Sequence, residues 1–347
     1  MKDIANHTGL GLATISSYFN GGNVREKNRI KIEAAIEELH YEINEVARGL
    51  KTNETKLIGL VIPELSNIFS AEVIAGVEDV LRNHGYATLI CDCRSNKDLE
   101  KKGIDFFQRK RVDGIINMPL DGTGAHLKSF LKTGKPVVLF DRKIPGLGCD
   151  CVYVDNRKAA REAVSHLIKK GHRSIGILCG PDDVYTSSHR LEGYCQAMKE
   201  AGLPIQESLI CYGGYTIQGG LEAIRSLLEK NPEMTAVFGA NNDMTIGALI
   251  SANEMRISIP DQLSVIGFDY KDFARAYQPF LTIVTQPTGQ IAEETARIML
   301  KRLGISDEEL GLDEETAKEY DLSGPIEKML YTEMMYGKSV KDRKEYK

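Results

Sequence analysis

The sequence predicts an α/β protein: an N-terminal helix-turn-helix headpiece followed by two doubly wound parallel-sheet lobes. Three observations carry that expectation. From Leu57 onward, apolar runs alternate with amphipathic helical stretches, the pattern of a parallel sheet covered on both faces. The alternation restarts near Arg157, so two such units lie in series. Ahead of Leu57 the spacing is purely helical, and residues 3–20 (DIANHTGLGLATISSYFN) turn a sharp corner.

The corner comes first. Ile4 and Ala5 begin an apolar face, and Gly9 sits where a helix would stop. Glycine adopts positive φ without steric cost, so the chain can turn there. Leu12, Ile15 and Phe19 restart the face at helical spacing, and Thr14, Ser16 and Ser17 project small hydroxyls. Two short helices cannot bury a core alone. Residues 25–39 supply a third helix, with Ile30, Ala34 and residues 36–39 expected on its buried side. An ordinary helical hairpin would read the same way as a DNA-reading unit whose second helix enters a major groove. A short segment opened by Asn44 as N-cap and ending at Leu50 is too short to be stable alone. Residues 51–56 (KTNETK) form a polar linker.

In the first lobe, LIGLVIPE reads as a buried strand and residues 71–84 as a helix. YATLICDC, VDGIINMP and PVVLFDR are further strands, with helices at 99–110 and 124–133, and residues 150–155 close the unit. The second lobe runs helix 157–170, strand SIGILCGP, helix 188–201, strand LICYGG and helix 217–229. It continues through strand TAVFGANN, helix 244–253 and strand LSVIGFD. Residues 287–303 return to helix, 304–325 are acidic and loop-like, and KMLYTEMMY reads as one last strand before a charged tail.

Composition excludes several classes. The chain has 347 residues, 27% charged and 42% hydrophobic, with a net charge of −5. That argues against broad nucleic-acid binding by the whole chain but leaves room for a small DNA-reading headpiece. No apolar run reaches membrane-spanning length, and MKDIANHTG lacks an apolar signal core, so the cytoplasm is the expected location. The seven cysteines include the C-x-C pairs Cys91/Cys93 and Cys149/Cys151. In a reducing cytoplasm they read as free thiols. Residues i and i+2 share a face of a strand, so a metal or redox pair is the alternative, against which no histidine stands beside them at ligand spacing. Phosphate-loop, dinucleotide, nucleophile-elbow and H-E-x-x-H signatures are absent, so neither an enzyme nor a cofactor is expected. His172 and His189 are isolated and read as packing or surface residues.

Ligands of open parallel sheets bind outside the carboxyl ends of the strands. Those ends carry Ser66, Asn67 and Phe69, then Asn117, then Asp141 and Arg142. In the second lobe they carry His189 and Arg190, Tyr215, Asn241 to Asp243, and Asp269, and the crossing segment adds Gln286. Carboxylates and arginine make paired hydrogen bonds to neighbouring hydroxyls, and an aromatic face covers C–H surface. That set suits a polyhydroxylated ligand. Any one of these residues taken alone reads equally as a loop cap or an interface ion pair.

These segments, in this order, resemble the lac repressor/galactose repressor (LacI/GalR) family over residues 2–341. DIANHTGLGLATISSYFN is similar to its headpiece, and IEAAIEELHYEINEVARGL to its third helix and hinge. IGLVIPELSNIFSAEVIAGVED resembles the start of its first lobe, and SVIGFD with LTIVTQP the segments near a lobe crossing. The resemblance implies a periplasmic-sugar-binding-protein-like body and a homodimeric regulator, most often a repressor of sugar genes, on a palindromic operator. It divides the chain into a headpiece (1–43), a hinge helix and linker (44–56), a first lobe (57–155 and 287–320) and a second lobe (156–286 and 321–341). Leu12, Ala13 and Ser17 match base-reading positions, and Thr14, Ser16 and Asn20 match phosphate contacts. Asn44 and Leu50 fall in the DNA-contacting hinge, Leu50 as a minor-groove wedge. Phe69, Asn117, Asp141, Arg190, Tyr215, Asn241, Asp269 and Gln286 match the effector clamp. The implied effector is a sugar or sugar phosphate; a purine fits less well, since only Phe69 and Tyr215 offer stacking faces.

The departures matter as much. No side chain ahead of Ile4 matches the family's capping threonine, Ser17 stands where the family has arginine, and Ile43 stands where it has proline. Serine cannot fork onto a guanine edge. Residues 1–50 hold six basic residues (Lys2, Arg25, Lys27, Arg29, Lys31, Arg48) against seven acids (Asp3, Glu26, Glu33, Glu37, Glu38, Glu42, Glu45). DNA-reading units are commonly basic. A sugar-binding receptor of the same fold with impaired DNA binding is therefore the competing expectation.

Overall fold

The computed structural model describes residues 1–19, 22–41 and 54–344. Asn20, Asn44 and Leu50 lie outside the described residues. The chain divides into two compact units, residues 1–55 and 56–347.

The first unit holds α1 (Lys2–Thr8), α2 (Leu12–Phe19) and α3 (Glu26–Glu38). Gly9 ends α1 at φ 69°, its N–H donating to the Ala5 carbonyl at 2.9 Å. Met1 makes no side-chain cap on α1. The core is small: Ile4, Ile15, Ile32 and Ala35, with Phe19, Ile36 and Tyr41 packed around it. This corrects the expected buried side of α3. Ile30 is 58% exposed, and Ala34 and Leu39 also face outward. Apolar residues stand on several faces of α3, so contact with α1 and α2, not spacing, selects Ile32 and Ala35.

In the second unit, the first lobe contains β1 (Leu57–Ile62), α4 (Ile68–Asn83), β2 (Ala87–Asp92), α5 (Lys97–Lys110), β3 (Gly114–Asn117), α6 (Lys128–Leu131), β4 (Val137–Phe140) and β5 (Asp150–Val154). The second lobe contains α7 (Asn156–Lys169), β6 (Ile175–Cys179), α8 (Tyr185–Glu200), β7 (Ile210–Tyr212), α9 (Ile217–Lys230), β8 (Ala236–Gly239), α10 (Asn242–Glu254), β9 (Ser264–Phe268), α11 (Lys271–Ala276) and β10 (Thr282–Thr285). The chain then returns through α12 (Thr288–Arg302), the short α13 (Glu314–Ala317), β11 (Glu327–Leu330) and β12 (Glu333–Met335).

Two six-stranded sheets result, ordered β11-β5-β4-β3-β1-β2 and β12-β10-β9-β8-β6-β7. Pairing is parallel except between β10 and β12. Each sheet is covered on both faces. Ile58, Leu60 and Ile62 of β1 pack with α4 and α12, whereas Val61 packs with Ile104 and Phe107 of α5 on the other face.

One correction concerns the end of the chain. KMLYTEMMY is two strands: β11 joins the first sheet beside β5, and β12 joins the second beside β10. Tyr320 and Ile326 pack in the first lobe's core, so residues 321–330 belong with the first lobe and not the second. Period-two alternation cannot tell which sheet a strand joins. The chain therefore crosses between lobes three times, after β5, after β10 and after β11.

Each lobe ties down its share of the returning segment. In the first, Arg302 forks onto buried Asp150 at 2.8 and 2.7 Å, and Asp150 also accepts the Ile326 N–H at 2.8 Å. In the second, buried Ser339 donates to the Val265 carbonyl at 2.6 Å, and His172 lies 3.1 Å from the Lys341 carbonyl and 2.9 Å from the Thr235 hydroxyl.

Candidate functional site

The carboxyl ends of both sheets open onto one cleft of about 760 Å³. Phe69, Asp141, Arg190, Tyr215, Asn241, Asp269 and Gln286 all line it. Asn117 does not. As the last residue of β3 it shares a face with Ile115, which packs behind the sheet. Its amide accordingly donates to fully buried Glu100 at 3.3 Å and contacts His126 at 3.1 Å. Glu100 also accepts the Leu120 and Asp121 N–H groups at 2.8 and 3.1 Å. Asn117 thus steadies the loop that carries Met118 and Leu120 into the cleft wall.

Asp141 and Asp269 occupy equivalent places. Each follows directly on its lobe's strand, β4 or β9, with positive φ of 64° and 79°. Each donates its N–H to the neighbouring strand at 2.8 Å, Asp141 to the Val152 carbonyl and Asp269 to that of Val284. Aspartate tolerates this left-handed conformation better than bulkier residues. Burial pushes both carboxyls above the ordinary range, with Arg190 opposing it in each case; Asp141 also pushes Asp269 up. Asp269 accepts from the Gln286 amide at 2.6 Å.

Arg190, on α8, is 3% exposed and held on three sides. Nε donates to Asn156 Oδ1 at 2.7 Å, Nη1 donates to the Ala240 carbonyl, and the guanidinium lies 3.7 Å from the centre of the Phe268 ring. Tyr215 also has positive φ, 60°, uncommon for an aromatic residue and typical of functional positions. Its ring lies directly against Gly180, leaving no room for a Cβ there, and its hydroxyl is 3.1 Å from that of Thr186. Asn241 caps α10 by accepting the Met244 N–H at 2.9 Å. Phe69, in the first turn of α4, is part of the first lobe's core and gives the cleft its aromatic face.

Two contacts join the lobes at the mouth; the strand-end reading missed both partners of the first and named both partners of the second. Lys97 on α5 pairs with Asp183 of the second lobe at 2.6 Å, and the Asn67 amide donates to Asp243 at 3.3 Å. Each contact joins residues far apart in sequence, a relation invisible in local spacing.

In the headpiece, Leu12 is 50% exposed at the start of α2, and Ala13 is exposed beside it. Leu12 was also expected on the buried face; only Ile15 of that face is buried. Thr14, Ser16 and Ser17 are partly exposed, and the Ser17 carbonyl accepts the Gly22 N–H at 2.8 Å. Two of the headpiece acids have partners within it: Glu38 lies 2.6 Å from the His7 ring nitrogen and Glu33 pairs with Arg29 at 3.4 Å.

Among the described residues, no cluster could hold a metal ion and no helix is long and apolar enough to cross a membrane. Burial raises the C-x-C thiols, Cys149 to about 11 and Cys91, Cys93 and Cys151 in the same direction, so reactive thiolate is disfavoured. His189 packs against the Tyr185 ring at 4.1 Å between centroids.

Residues 55–303 match the family described as periplasmic binding proteins and sugar binding domain of LacI family. The chain is 34% identical over 301 residues to catabolite control protein A of Priestia megaterium, spanning 86% of this chain and 91% of that protein. It is 32% identical over 308 residues to the HTH-type transcriptional repressor CytR of Escherichia coli K12, spanning 87% and 89%. A solved complex of the transcriptional regulator CelR with cellobiose is similar at TM-score 0.70 and 29% identity, spanning 97% and 98%. The lac repressor dimer bound to operator and the anti-inducer ONPF shares the fold at TM-score 0.82 and 23% identity, spanning 98% of each chain.

Proposed function

This chain belongs to the LacI/GalR family of transcriptional regulators, and on that premise we propose that it represses sugar-metabolism genes by binding a palindromic operator as a homodimer, with a sugar-type effector in the cleft between its lobes. It is a regulator and not an enzyme, and its place of action is the cytoplasm. The observation that carries the reading is the convergence of side chains from both lobes on one cleft: Phe69 and Asp141 from the first, Arg190, Tyr215, Asn241 and Asp269 from the second.

The chemistry follows from that convergence. A ligand touching both lobes stabilises one angle between them, and three crossing segments let that angle change. Differential affinity for two such states is what couples effector to DNA. Residues 1–43 read the operator. Leu12, Ala13 and Ser17 face base edges, while Thr14, Ser16 and Asn20 meet phosphates. Asn44 and Leu50 belong to the hinge of residues 44–56, where Leu50 enters the minor groove. Exposed Leu12 and Ala13 support this assignment. With Ser17 in place of arginine, the hinge carries much of the discrimination.

A gel-shift titration on the palindrome nearest its own gene, with and without a panel of sugars, tests the reading. We expect a salt-sensitive shift that one sugar alters. Leu50→Ala should abolish specific binding while leaving dimerisation and sugar affinity intact, and Asp269→Ala should remove the sugar response. The acidic headpiece favours a second reading, a sugar-binding receptor that no longer reads DNA; sugar binding without any shift would establish it and sink the repressor.

A further inference from the structure

The charges of the cleft bear on which ligand it accepts, given that the cleft is the effector site. Its inner wall holds two carboxylates, Asp141 and Asp269, and two guanidinium groups, Arg142 and Arg190. It is electroneutral before any ligand arrives.

The cations are already engaged. Arg190 is fixed by Asn156, the Ala240 carbonyl and the Phe268 ring. Arg142 is 6% exposed, donates to the Pro119 carbonyl at 3.2 Å and lies 3.4 Å from Asp141. At the mouth, Lys97 is paired with Asp183 at 2.6 Å and Arg94 with Asp92 at 2.9 Å. The lining acids are Glu64, Asp141, Asp183, Asp243 and Asp269, one more than the lining cations Arg94, Lys97, Arg142 and Arg190. Two buried polar atoms of the cleft have no full hydrogen bond, Gln286 Oε1 and Arg142 Nε, the latter making only the 3.4 Å contact with Asp141. One is an acceptor and the other a donor, and a hydroxyl group can serve either. Phe69, Met118 and Leu120 of the first lobe add an apolar wall suited to the C–H face of a ring.

A phosphate ester would bring between one and two further negative charges, roughly −1.5 to −2, to a wall that already carries two carboxylates, which would repel it. Burial strengthens that repulsion because screening by water is weak there. We propose that the cleft selects an uncharged polyhydroxylated ligand and rejects its phosphorylated counterpart, with Asp141 and Asp269, one from each lobe, as the discriminating residues.

Calorimetric titration of the full chain tests this with matched probes: glucose and glucose 6-phosphate, ribose and ribose 5-phosphate, cellobiose, and inorganic phosphate. We expect binding of a neutral sugar, phosphorylated partners weaker by on the order of tenfold or more, and no heat from inorganic phosphate. Asp141→Asn and Asp269→Asn keep the side-chain shape and remove the charge; combined, they should narrow the gap between neutral and phosphorylated probes by about the same factor. A phosphorylated sugar that binds as tightly as its parent, or a ratio unchanged in the double variant, overturns the inference. Failure of every probe, neutral and phosphorylated alike, removes the effector-site reading and this inference with it.

Discussion

In the first lobe, three large apolar side chains of the cleft wall, Phe69, Met118 and Leu120, stand with the ion pair of Asp141 and Arg142. In the second lobe, the carboxylate in the equivalent place, Asp269, stands among Arg190, Tyr215, Asn241 and Gln286. The strand orders correspond one to one and the backbone around the two aspartates is the same. A repeated scaffold has thus been given two chemistries. One wall offers a surface to lie against, and the other offers groups that orient. A ligand that needs both binds only when the lobes approach, which makes the lobe angle responsive to it.

The same division appears where each lobe secures the returning chain. The first uses a buried carboxylate, Asp150, paired with Arg302, and the second uses buried neutral hydrogen bonds from His172 and Ser339, its ion pairs with the tail, Lys170 with Asp342 and Lys341 with Asp261, being exposed. Breaking the first tie should have the largest effect. Asp150→Ala leaves Arg302 without its carboxylate and the Ile326 N–H without an acceptor, at a cost of about 3–5 kcal/mol. Urea unfolding at neutral pH measures it, and a loss under 1 kcal/mol would mean the pair is dispensable.

Acid should find the second tie. Burial holds His172 down to about 4 from the ordinary 6.5. The unfolded chain takes up that proton below 6.5, while the folded chain resists until about 4. The contribution is therefore present above 6.5 and lost as pH falls toward 4, at about 1.4 kcal/mol per unit and up to roughly 3 kcal/mol in all. His172→Gln should flatten this limb even if it is less stable at neutral pH. Parallel acid curves for variant and parent would place the sensitivity elsewhere.

The smallest effect concerns the contact between lobes. Lys97 and Asp183 are each 54% exposed, so their pair contributes only about 0.2–1 kcal/mol. Lys97→Met should change sugar affinity less than fivefold, and more weakly still in high salt. A larger change would make the mouth, and not the inner wall, the main determinant of closure.

Much of this was legible in the sequence because parallel strands buried on both faces read as uninterrupted apolar runs, and sites gather where such runs end. Asp141, Arg190 and Asp269 could be picked out that way. Asn117 could not be placed: strand alternation turns it behind the wall, and one residue of register separates lining from backing. The partner of Lys97 lies 86 residues away, beyond any local pattern.

The chain by itself determined the number of lobes, the helical corner at Gly9 and the strand ends that carry polar residues, because these follow from short-range periodicity and the conformational freedom of single residues. Only the tertiary structure decided that KMLYTEMMY divides between two sheets, that Ile32 and Ala35 rather than Ile30 and Ala34 fill the headpiece core, and that the two aspartates oppose each other across one cleft. Those outcomes depend on which surfaces meet, and surfaces meet through contacts between residues far apart in the chain.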